Sequence, residues 1–128
     1  MADPQLSFPV EEIPDADSVF MRAHRSLLRD GEIVPGVFRA QGKAMSVDWS
    51  KYASPEDTRQ RARKPLGNAV LAMIAGRIRA EAGLEVFHTP EPENRAHSSV
   101  ILPENDEDLT EARIILGRIA TIVISLDR

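Results

Sequence analysis

The chain has no cysteine. That excludes disulfides, thiolate metal sites and a cysteine nucleophile, and it fits a reducing compartment, so a cytoplasmic protein is expected. The opening Met1-Ala2-Asp3-Pro4 has neither a positive n-region nor an apolar h-region and does not read as a secretory signal. No apolar run approaches the roughly 20 residues that span a bilayer, so no membrane partner is expected. A glycine-rich phosphate loop, a serine in a nucleophile elbow and an internal repeat are missing too. No cofactor is expected.

What is there is 128 residues, enough to bury one core, with a net charge of −4 unevenly spread. Residues 55–83 carry 6 bases against 3 acids, whereas residues 84–128 carry 9 acids against 4 bases. Nucleic-acid binders usually hold a basic excess over the whole domain, because affinity comes from neutralised phosphates. Here only the middle third does. An acidic protein with one basic stretch better suits docking to an acidic protein surface.

Pro4, Pro9 and Pro14 fix φ and remove donors, so residues 1–14 read as an irregular arm, pinned by Leu6, Phe8, Val10 and Ile13. Residues 15–128 read as one α+β domain: a small sheet of four or five short strands packed with two or three helices. Residues 18–25 alternate, with Val19, Met21 and Ala23 on one side and Phe20, Arg22 and His24 on the other. Turns are expected at Asp30-Gly31 and Pro35-Gly36, with an extended piece at Val37-Phe38-Arg39. Residues 45–49 form a strand with Met45, Val47 and Trp49 inward and Ser46 and Asp48 outward.

Ser54-Pro55-Glu56-Asp57 is a helix start: an N-cap hydroxyl, a proline at N1 and two acids at the positive dipole end. That helix is expected to reach Lys64 and to lie on the surface. Residues 68–83 fit either one long helix or a strand followed by a helical turn, and the bracketing Gly67 and Gly76 favour the second. Strands follow at 84–88 and 96–102. A helix starting near Asn105 presents Leu109, Ala112, Leu116, Ile119 and Val123 at helical spacing, widened by Ile115 and Ala120, and the alternative is that the β-branched run 121–124 leaves it as an edge strand.

Three clusters could carry chemistry. The first runs from His88 through Asn94, Arg95 and His97 to Ser98: two imidazoles flank a proline-stiffened loop, and a histidine titrates where acid–base chemistry needs it. The competing reading is that the pair fixes the turn. Two histidines do not complete a zinc ligand set, so no metal is expected. The second cluster sets Arg39 beside Ser46, Asp48 and Trp49 as the lining of a small-molecule or nucleotide pocket, against a plain core role for Trp49. The third, Arg59, Arg61, Arg63 and Lys64, could bind phosphates or an acidic partner, or form a solvated helix face.

The segments Ser46-Val-Asp-Trp49, His88-Thr-Pro and Asn94-Arg-Ala-His-Ser98 together resemble a set of small bacterial proteins over roughly residues 15–102. The resemblance implies that these clusters recur as a unit and carries no activity across. The expectation is a small binding or regulatory module, or a subunit of a larger bacterial system, that docks a protein partner. The alternative is a small enzyme acting on a nucleotide or RNA, with His88 and His97 as acid and base and Arg95 or Arg39 on phosphate.

Overall fold

The computed structural model describes residues 8–29, 32–40, 42 and 44–126. Its strands are β1 Ser18–His24, β2 Leu28–Arg29, β3 Glu32–Ile33, β4 Ala44–Trp49, β5 Asn68–Ile74, β6 Val86–His88, β7 His97–Ile101 and β8 Thr121–Ile124. Its helices are α1 Pro55–Gln60, α2 Ala75–Glu81 and α3 Asp106–Ile119. The α+β class holds, with more strands than expected. Six form an antiparallel sheet in the order β6-β7-β4-β1-β5-β8, and β2-β3 form a separate ribbon. The two segments that the sequence left open, 68–74 and 121–124, are both strands, which accounts for the larger sheet. The Asp30-Gly31 turn lies outside the described residues, as does the arm before Phe8.

Residues opposite each other in an antiparallel pair point to the same face. Val19 faces both Trp49 and Met73, Met21 faces Leu71, and Met45 faces Val100, so these seven share one face and all are buried. Helices α2 and α3 close over it with Ala75, Ile78, Ala112, Leu116 and Ile119. The other face carries Phe20, Arg22, Ser46, Asp48 and His97, and α1 covers it chiefly over β1, β5 and β8, reaching β4 through Thr58 on Asp48. That incomplete cover leaves room for a site.

Two local expectations hold only in part. The turn at Pro35-Gly36 forms, as a 3-10 turn over Pro35–Val37, but residues 37–39 make no strand, and Phe38 drops into the core at 0% exposure. Burial of that ring stabilises by roughly 1.5–3 kcal/mol, and Arg113 Nε ties the Phe38 carbonyl to α3 at 2.8 Å. Helix α1 begins as expected, with a reciprocal capping box between Ser54 and Asp57, but it stops at Gln60 and not at Lys64. Arg59 folds back and donates through Nε to the carbonyls of Pro65 and Asn68, which pulls the chain out of the helix. Among the described residues no helix is long and apolar enough to cross a membrane.

Residues 8–14 contain no helix or strand, yet the arm is held to the body. Helix α2 has no side-chain cap; its first amides, Ala75 and Gly76, donate to the carbonyls of Asp17 and Asp15 at 2.9 Å each. A Cβ on residue 76 would lie 2.7 Å from Asp15 Cβ and 2.9 Å from its carbonyl oxygen. Only glycine lets the backbones come this close. Gly76→Ala is therefore expected to destabilise the protein by about 1–3 kcal/mol, read as a lowered urea midpoint at unchanged slope.

Candidate functional site

The half-open face holds a polar groove of about 640 Å3. Strand β4 supplies Ser46 and Asp48, β1 supplies Arg22, the segment before β4 supplies Arg39, and α1 with its C-cap supplies Thr58 and Arg61. The loop after β6 adds Glu91, Glu93 and Asn94, and β7 adds His97. Alternation alone put Asp48 outward. It does point away from the main core, but α1 and the loop bury it to 5% exposure.

Burying a carboxylate is costly unless it is fully bonded, and Asp48 is. Oδ2 accepts from Thr58 Oγ1 at 2.8 Å and lies 3.4 Å from Arg61 Nε. Oδ1 accepts from Asn94 Nδ2 at 2.8 Å, and Asn94 Oδ1 in turn accepts the Ala96 amide. Helix, strand and loop thus meet on one carboxylate. Arg22 adds a second tie, donating from Nη1 to the Thr58 carbonyl at 3.1 Å.

His97 faces Asp48 across the β4–β7 ladder. Its Nδ1 lies 2.8 Å from the Thr89 carbonyl oxygen, which can only accept, so the ring hydrogen sits on Nδ1. Nε2 then carries the lone pair, and the Ser46 hydroxyl, 3.2 Å away, donates to it. The Glu91 carboxylate is 3.9 Å from the same Nε2.

His88 lies elsewhere. It pairs with Ser98, not with His97, so the two imidazoles point to opposite faces of the sheet. They share no pocket, and the proposed acid–base pair is not formed. His88 is 1% exposed, and its Nε2 donates to the Arg95 carbonyl at 2.7 Å while its Nδ1 accepts the Glu11 amide at 3.0 Å. Both nitrogens are bound to backbone. The cleft of about 540 Å3 between the arm and β6 therefore gains no free group from its one histidine.

Trp49 and Arg95 belong with His88. The indole stacks edge-on to His88 and Tyr52, with centroids 5.0 and 5.5 Å away, and donates to Asp17 at 2.9 Å. The Arg95 guanidinium lies 4.2 Å from the Tyr52 ring centroid. Glu11 joins the group from the arm, accepting from Lys51 and from the Tyr52 hydroxyl. Ser98 is fully buried and donates to the Ala96 carbonyl, so it touches no ligand.

The basic stretch is also divided. Arg59 is 8% exposed and bound to carbonyls, so the expected solvated helix face does not include it. Arg61 joins Asp48 in the groove, and Arg63 is exposed apart from it. Of the residues singled out from the sequence, the groove gathers Arg39, Ser46, Asp48, Arg61, Asn94 and His97. It adds Arg22, Thr58, Glu91 and Glu93, which the sequence reading passed over. The alternation of β1 had placed Arg22 on this face, and that was the only available signal. No family model, curated protein or solved structure matches the chain.

Two outcomes follow from the two clusters. Asp48→Ala leaves Thr58 and Asn94 without their acceptor and is expected to cost about 2–3 kcal/mol, measured by urea denaturation. The hydrogen bonds from Lys51, first, and from Tyr52 hold the Glu11 carboxyl below its ordinary 4.5. A lowered folded value gives stability that is present above pH 4.5 and lost as the pH falls through the lowered value. Glu11→Gln should flatten that part of the stability-versus-pH curve, while a curve identical to wild type would show that the contact contributes nothing.

Proposed function

We propose that the protein is a small binding domain whose working surface is the polar groove and whose ligand is a small anion bearing a carboxylate or phosphate. The observation that carries this reading is Arg39. Its exposed guanidinium makes no hydrogen bond or ion pair among the described residues, yet it lines the groove together with Arg22 and Arg61. Those two have partners that fix them, and Arg39 is left as the cation to meet a ligand.

The binding class expected from the sequence is kept in this proposal, with a different ligand. A concave groove of about 640 Å3 matches the size of small-molecule sites. Protein docking takes a broader surface, about 800 Å2 per partner. A cysteine-free chain suits the reducing cytoplasm, and a cytoplasmic regulatory role belongs to the same proposal.

The test is titration calorimetry with inorganic phosphate, citrate and adenosine monophosphate, paired with thermal unfolding. At least one anion should bind and raise the midpoint. Arg39→Gln should weaken it about tenfold or more, about 1.4 kcal/mol, and leave the midpoint of the free protein unchanged. Three anions that neither bind nor stabilise would end this reading.

A further inference from the structure

We infer that the groove is also a catalytic site, in which Ser46 is the nucleophile and His97 its general base in the hydrolysis of a small ester bearing an anionic group. The anionic character of the substrate rests on the binding reading above; the serine–histidine chemistry stands on separate geometry. A serine hydroxyl is a poor nucleophile until a base takes its proton, and the base must be held in one tautomer by a third group. All three parts are in place. The Thr89 carbonyl, 2.8 Å from His97 Nδ1, fixes the hydrogen there, which turns the Nε2 lone pair to the Ser46 hydroxyl at 3.2 Å. The Glu91 carboxylate lies 3.9 Å from Nε2, beside the ring that gains positive charge when the proton moves.

Access and rigidity fit the same role. Ser46 is exposed and lines the groove, and the side chain of His97 keeps 20% of its surface open. Both sit on neighbouring paired strands, not on loops, and Ser46 faces Ser99 two residues along the ladder from Asp48 and His97, on the same face. By contrast, Ser98 and His88 have every polar group bound to backbone in the interior. Ser46 is the hydroxyl that meets an imidazole nitrogen lone pair in an open groove.

In the reaction, Ser46 Oγ forms a bond to the ester carbonyl carbon as its proton passes to His97 Nε2. The charge on the carbonyl oxygen is met by the guanidiniums lining the groove. The carbon–alkoxy bond breaks, and Nε2 returns the proton to the leaving alcohol. Water then attacks the acyl-serine, gives its proton to Nε2, and the acid leaves as Oγ takes that proton back. One ester and one water become one acid and one alcohol.

A fluorophosphonate probe reacts with activated serines whether or not the substrate anion is present, so it separates this inference from the binding reading. Mass spectrometry of the labelled protein should find one adduct, on Ser46, that is absent in Ser46→Ala. His97→Gln, checked for native circular dichroism, should slow labelling about 100-fold or more, as expected for loss of a general base. Against 4-nitrophenyl acetate and an analogue with a carboxylate on the acyl chain, Arg39→Gln should remove the preference for the charged ester. No adduct on Ser46 at millimolar probe overturns the inference, whatever the anion titrations give. An adduct formed equally fast in folded His97→Gln overturns it as well.

Discussion

A carboxylate sealed beneath a short helix holds the groove in shape. Asp48 lies on the sheet face that solvent would otherwise reach, and three partners from three parts of the chain make its burial tolerable. Thr58 anchors α1, Asn94 anchors the loop after β6, and Arg61 closes the rim. Each partner would be misplaced without the others. The floor is therefore fixed by one charge, and the residues above it, Ser46 and His97, inherit their spacing from the strands that the charge pins together.

The sheet divides the polar residues of the sequence into two sets with different work. One face turns His88 and Trp49 inward beneath the arm, where the Arg95 carbonyl, the Glu11 amide and the Asp17 carboxylate take up their ring nitrogens, and the Arg95 guanidinium lies over Tyr52 beside them. The other face presents the Arg39 guanidinium, which has no partner among the described residues, and the exposed Ser46 hydroxyl on His97 Nε2. The same residue types are structural on one side and chemical on the other. What separates them is burial and the identity of the second partner, not sequence proximity.

Much of the fold was legible. The alternation in β1, the cap at Ser54 and the start of α3 each carry a local physical signature and appear at those residues, whereas the stripe of α3 ends at Ile119 and its last member, Val123, belongs to the strand that the β-branched run 121–124 offered as the alternative. Half of the site is legible as well, since the sequence groups Arg39, Ser46 and Asp48, and all three line the groove. The histidine pair failed on register. The Glu91–Asn94 bridge and the Thr89 amide on the His97 carbonyl set His88 against Ser98, and a one-residue shift sends a side chain to the other face. Nothing in the spacing of the residues reports that shift. Arg59 failed because counting charges does not see the carbonyls of Pro65 and Asn68, which become neighbours only after the chain has turned.

The arm has a consequence for how the molecule opens. Glu11 bonds to Lys51 and Tyr52, 40 and 41 positions away, and through its amide to His88, 77 positions away, so its contacts close loops of different span. The last of them waits for β6. Losing the segment from Glu11 to Asp17 removes the acceptor of the Trp49 indole, the donor on His88 and the carbonyls on the first amides of α2 together. The amides of Glu11, Ala75 and Gly76 are therefore expected to exchange as one unit, ahead of the central strands β1 and β5.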